Sequence, residues 1–194
     1  MKKMFMLLVS SLLILTSCKE NVKAQEDEAN KFNNTEATSA ESYLNRGIEK
    51  ADLGDYEEAI ANYDKAIEIE PNLAEAYNKR GMSKDELKYS RSTKGNIIFN
   101  KGAIADYTKA IEIKPDYAEA FFNRGNSKYD LKDLKGAIAD FTKSIDINPN
   151  HSFPYARRGL SKFFLGNTYG ACQDLLKAQD LGYDAADFIE RVCK

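Results

Sequence analysis

One feature limits what this chain can become: it repeats itself. Three thirteen-residue stretches match closely: AIANYDKAIEIEP (59–71), AIADYTKAIEIKP (103–115) and AIADFTKSIDINP (137–149). A degenerate fourth, ACQDLLKAQDLGY, fills 171–183. Glycines recur at Gly47, Gly81, Gly125 and Gly159, with spacings of 34, 44 and 34. Prolines recur at Pro71, Pro115 and Pro149, with spacings of 44 and 34. A period of this length marks stacked supersecondary units, none of which can bury its apolar face alone.

The columns around the period fall in step. An aromatic precedes each glycine by four residues: Tyr43, Tyr77, Phe121 and Tyr155. A small residue opens the second half of each unit (Ala59, Ala103, Ala137, Ala171). A large one follows (Tyr63, Tyr107, Phe141, Leu175), then another small one (Ala66, Ala110, Ser144, Ala178). Small residues let paired helices approach, and aromatics fill the space beside them. Proline after IEIE, IEIK and IDIN stops each second helix.

These motifs resemble tetratricopeptide repeats, helix–turn–helix units of 34 residues. The resemblance covers about three quarters of the chain. It implies an all-α, right-handed superhelical solenoid of four units, 40–73, 74–117, 118–151 and 152–185. The segment DAADFIERV within 184–194 reads as a C-terminal capping helix, with Ala185, Phe188, Ile189 and Val192 on one face. The resemblance also implies that the first helix of each unit lines a concave surface.

The leader reads as an address. Met1-Lys2-Lys3 is a positive start, and the apolar run to Leu15 is too short to span a bilayer, which needs roughly 20 residues. Leu15-Thr16-Ser17-Cys18 resembles the lipobox of bacterial lipoproteins. That resemblance implies a signal peptide over 1–17, cleavage before Cys18 and acylation of Cys18, a membrane anchor. Cleavage would remove two lysines and leave 26 basic against 30 acidic residues. Lys19 in place of Asp favours the outer membrane in a cell that has one. Residues 18–39 read as the lipidated cysteine and a flexible tether, reaching at most about 70 Å.

Two departures from the repeat carry information. The second unit is ten residues too long, and the excess lies in 88–102, between its two helices. One reading is a tolerated loop or a lengthened pair of helices; the other is a protruding contact surface. Cys172 and Cys193 flank a turn near Gly182, ten and eleven residues away. Antiparallel helices would bring them level, which predicts a structural disulfide worth roughly 3 kcal/mol.

Function follows from what varies. Arg46, Arg80, Arg124 and Arg158 stand before every glycine and are assigned to structure, with acids of neighbouring helices as partners. Helix geometry turns other residues toward the concave side. The candidates for a partner-binding groove are Asn45, Asn78, Lys79, Phe122, Asn123, Asn126, Phe153, Arg157 and Phe164. Amides suit a peptide backbone and aromatics supply buried area. The basic carboxylate clamp of chaperone-tail-binding relatives is not kept: Asn123 and Arg157 match, but Asn78, Met82 and Phe153 replace the rest.

The expected role is a membrane-anchored module binding a protein partner. The alternative is a structural subunit of an envelope assembly or secretion complex, using its convex face or 88–102. A net charge of −2 argues against nucleic acid. One histidine, His151, and three cysteines argue against a metal site. Phosphate-loop, HExxH and GxSxG motifs are missing from the sequence, so no catalytic residue, cofactor or small-molecule substrate is expected.

Overall fold

The structure is a computed structural model that describes residues 38–90 and 93–194, without the side chains of 88–90, 93–97 and 99. Residues 1–37, where the expected signal peptide, the expected lipidation of Cys18 and most of the expected tether fall, lie outside the described residues.

The described residues form helices and turns. The first unit holds α1 (Ala40–Asp52) and α2 (Tyr56–Ile69), and the second α3 (Ala74–Ser90) and α4 (Thr93–Ile113). The third holds α5 (Ala118–Asp130) and α6 (Leu134–Ile147), the fourth α7 (Ser152–Phe164) and α8 (Thr168–Asp180), and α9 (Ala186–Val192) ends the stack. Each helix packs on its neighbours in sequence, the signature of a solenoid. First helices also touch each other across units, α1 with α3, α3 with α5 and α5 with α7. They therefore occupy the tighter, inner side of the curve.

Local chemistry sets the ends. The Ser39 side chain caps α1 by accepting from the Ser42 N–H, Asp133 caps α6 through Gly136, and Asn167 caps α8 through Gly170. Before Pro71 and Pro149 the chain turns extended, at Glu70 and Asn148, as proline requires of its predecessor. The turn inside a unit needs a left-handed residue. Gly54 and Gly166 supply it at φ 83° and 82°, and Lys132 at φ 66°.

The helix pairs close on the glycines. A Cβ at Gly81 would stand 2.7 Å from the Tyr107 ring, and one at Gly125 2.6 Å from the Phe141 ring. At Gly47 the Tyr63 ring comes closer still. Tyr63, Tyr107, Phe141 and Leu175 are fully buried, so the large column is the core of each unit.

The arginine column is structural, and its partners are identifiable. Arg124 grips Asp140 in a fork, Nε to Oδ2 at 2.9 Å and Nη2 to Oδ1 at 2.8 Å, and Lys128 adds a contact at 2.8 Å. Arg80 and Lys84 hold Asp106 in the same way, and Arg158 and Lys162 hold Asp174. Arg124 and Arg158 reach further, to Thr108 and Thr142 of the preceding units at 3.1 Å each. Arg46 instead bonds Ser42 on its own helix. The corresponding second-helix position in the first unit is Asn62, so no acid stands there.

The ten extra residues of the second unit are mostly helix, which settles loop against lengthened helices. α3 has 17 residues and α4 has 21, against 13 and 14 in the first unit. The pair therefore extends by roughly 6–10 Å at 1.5 Å per residue. Register survives, because Gly81 still meets Tyr107 and Arg80 still meets Asp106.

At the other end α9 lies on α8, with Ala185 and Val192 buried and Ile189 partly buried. Phe188, expected on that face, is 38% exposed. Cys172 and Cys193 stand at bonding distance, with Cα atoms 5.2 Å apart, and clamp the cap.

Candidate partner-binding groove

The inner face holds a cavity of about 170 Å³. Four helices contribute: Met82, Asp85 and Glu86 from α3, Tyr107 from α4, Asn123, Asn126 and Asp130 from α5, and Arg157 from α7. Three of the predicted groove residues, Asn123, Asn126 and Arg157, thus meet at one place.

The other predicted residues divide. Asn78 was expected to face the groove but is fully buried. It donates to the Tyr117 hydroxyl at 3.3 Å and accepts from Asn123 Nδ2 at 3.2 Å, so it joins the second unit to the third. Its helical angle was read correctly, but the next unit covers it. For the same reason Leu44, which a wheel turns toward the groove, is core. Asn45 is exposed and Lys79 half-buried, and neither lines the cavity.

The aromatic candidates form two shelves. Phe122, His151, Phe153 and Tyr183 make a chain of ring contacts, with centroids 5.5 Å apart for Phe122–His151 and 5.4 Å for Phe153–Tyr183. His151 is half-buried among these rings. Phe164 meets Tyr129 at 6.2 Å, and the Arg157 guanidinium lies 5.7 Å from the same ring. Phe153 and Phe164 are 51% and 62% exposed, a large apolar area left in water.

Asp85 was not among the expected groove residues, yet two hydroxyls hold it. Its Oδ2 accepts from the Tyr107 hydroxyl at 2.9 Å and from Ser127 Oγ at 2.8 Å. Burial, then the charge and hydrogen bond of Asp85, pushes the Tyr107 phenol well above its ordinary value. The signal was available: the equivalent positions read Ala51, Asp85, Tyr129 and Phe163, so the repeat does not call for an acid. At the entry to the inner helices, Tyr117 is pushed up to about 12 by burial and then by the charges of Glu119 and Glu75. Among the described residues no cluster of three His, Cys, Asp or Glu could hold a metal, and no helix is long and apolar enough to cross a membrane.

Comparison with known proteins agrees with this architecture. The tetratricopeptide repeat family matches residues 49–83, 100–131 and 118–151. A tetratricopeptide repeat protein 36 homolog from Nematostella vectensis is 32% identical over 71 residues, 37% of this chain. The match spans 39% of that relative's length. Among solved structures, MamA superposes with a TM-score of 0.68 at 23% identity, over 81% of this chain and 86% of its own. PilF of Pseudomonas aeruginosa gives 0.63 at 21% identity, over 74% and 61%. The first such domain of Spaghetti, bound to an HSP90 peptide, gives 0.60 at 21% identity, over 67% and 95%. These structural likenesses are likenesses of fold. Residues 49–83 and 100–151 match tetratricopeptide repeats, and the described helices stack as the superhelical solenoid of those folds.

Proposed function

We propose that this tetratricopeptide-repeat chain is a lipid-anchored interaction module of a bacterial cell envelope, which holds an extended segment or a helix of a partner protein along its inner face. The observation that carries the reading is the cavity shared by α3, α5 and α7, flanked by exposed Phe153 and Phe164. Residues needed for the scaffold recur from unit to unit; apart from the core residue Tyr107, the residues that line this cavity do not. Amide side chains can bond a peptide backbone, and exposed rings can bury partner side chains. The anchor rests on Cys18 and its lipobox, with the outer membrane as destination in a cell that has one. The Spaghetti domain, a relative in fold, holds a peptide.

Partner capture from solubilised envelopes tests this. The intact protein is compared with a Phe153→Ala/Phe164→Ala variant, both positions being about half exposed or more. A partner lost by the variant, with unchanged helicity, supports the groove. A partner kept at full strength removes the groove from the argument. It would favour the structural-subunit reading, in which the lengthened α3–α4 pair, with Ile98 70% exposed, makes the contact.

A further inference from the structure

Three departures of the fourth unit from the repeat are joined in space. Where the other units carry Glu41, Glu75 and Glu119, the fourth carries Phe153. Where they carry Ile60, Ile104 and Ile138, it carries Cys172. Where they carry Pro71, Pro115 and Pro149, the chain after α8 carries Tyr183. The Tyr183 and Phe153 rings meet with centroids 5.4 Å apart, and Cys172 is bonded to Cys193 at the end of α9. The repeat requires none of these residues. We propose that the Cys172–Cys193 bond is a redox-sensitive latch on the aromatic shelf. Closed, it holds α9 and Tyr183 in place against Phe153. Opened by a dithiol reductant, it frees α9, and the shelf loses its fixed arrangement.

The cap depends on its covalent bond. α9 has seven residues, and isolated helices shorter than about 12–15 residues are marginal in water. It buries Val192 fully and Ile189 in part. Tyr183 is the joint between cap and shelf. Its N–H bonds Ala178 O at 2.9 Å and closes α8, while its side chain packs against the cluster of Ala171, Leu175, Ala185 and Val192. Departure of α9 removes the Val192 side of that cluster, and with it part of what holds the Tyr183 ring.

From Tyr183 the contacts run inward through touching rings. Phe153 lies 5.7 Å from His151 and 6.5 Å from Phe122, and Phe122 lies 5.9 Å from Phe141 in the core of the third unit. Tilted and edge-on ring pairs of this kind fix one another's positions. The half-exposed Phe153 is the member of this chain that rests directly on Tyr183, so it is the first to lose its place.

The chemistry is thiol–disulfide exchange. Cys172 and Cys193 are both partly exposed, so a small dithiol can reach them. Its thiolate attacks one sulfur of the pair and forms a mixed disulfide. Its second thiol then closes the reductant's own disulfide, and Cys172 and Cys193 are left as thiols. Two electrons and two protons pass from the reductant to the pair. On the reading that the inner face binds a protein segment, the oxidised chain presents Phe153 in a fixed place and the reduced chain binds more weakly.

The test needs no partner, so the latch and the groove reading fail separately. His151 is the one histidine of the chain. Its imidazole Cε1–H resonance therefore reports on the shelf without a label. Spectra of the full chain are recorded with and without dithiothreitol, and a thiol-reactive dye counts the two thiols released. Reduction is expected to move the resonance toward the position of a free histidine. Cys172→Ser/Cys193→Ser should show the reduced position without reductant. Tyr183→Leu should remove the response to dithiothreitol, and Tyr183→Phe, which keeps the ring, should restore it. A resonance that stays in place while both thiols are released overturns the proposal, as does a full response in Tyr183→Leu. Loss of amide protection throughout α7 and α8 on reduction would make the bond a structural clamp only, and also overturns it.

Discussion

Gly125→Ala adds one methyl group where α5 packs on the Phe141 ring of α6. The new Cβ would lie 2.6, 2.8 and 3.2 Å from three carbons of the Phe141 ring. Carbon atoms prefer about 3.5–4.0 Å, so α5 and α6 must part or the ring must turn. Phe141 is fully buried and has nowhere to turn. Overpacking of this kind costs about 1–3 kcal/mol, and the geometry places this site at the upper end. Alanine returns about 1 kcal/mol of helix propensity. The net expectation is a loss of about 1–2 kcal/mol, read from the urea midpoint by circular dichroism. The fourth unit supplies the control, because Gly159 faces Leu175, and its Cβ would meet Ala171 O at 3.1 Å and Leu175 Cγ at 3.2 Å. Gly159→Ala should therefore cost clearly less. In a Phe141→Leu background, Gly125→Ala should lose most of its penalty. If Gly125→Ala instead stabilises by about the propensity difference alone, or if the two glycines reverse their order, the close-approach account is wrong.

Asp140→Asn should destabilise by about 3–5 kcal/mol, because it leaves Arg124 and Lys128 facing each other without their buried counter-charge; urea titration against the exposed control Glu58→Gln, expected to cost under about 1 kcal/mol, measures it. Lys132→Gly should stabilise by about 0.5–1 kcal/mol, since φ is 66° there and relief of left-handed strain exceeds glycine's added entropy; a lower thermal midpoint would count against it. Tyr63 and Tyr117 are both pushed up to about 12, burial being the first cause. Their contribution to stability is complete below pH 10 and lost as pH rises toward about 12, because the unfolded chain sheds those protons first; ultraviolet titration of tyrosinate alongside circular dichroism follows both, and ordinary titration of every tyrosine in the folded protein would refute it. Reducing Cys172–Cys193, which closes a separation of 21 residues, should lower stability by up to about 3 kcal/mol and release α9 first in hydrogen exchange.

Much of this protein is legible from one dimension because its contacts are local and repeated. Gly125 with Phe141, Arg124 with Asp140 and Arg158 with Asp174 all join residues 16 apart, so each motif implies its own partner. The two cysteines meet because they stand ten and eleven residues either side of Gly182, where α9 folds back onto α8. Period, composition and spacing therefore determined the unit, the core column, the arginine column and the cap. The groove was another matter. A helical wheel gives a direction and does not show whether the next unit stands in it. Asn78 and Leu44 point inward and are covered, while Asp130 and Arg157 point inward and remain open. Asp85 acquires its place only because Tyr107 and Ser127, 22 and 42 residues away, converge on it. Units stack by burying whatever apolar surface they share, and only the three-dimensional stack decides which polar residues that burial leaves at the surface.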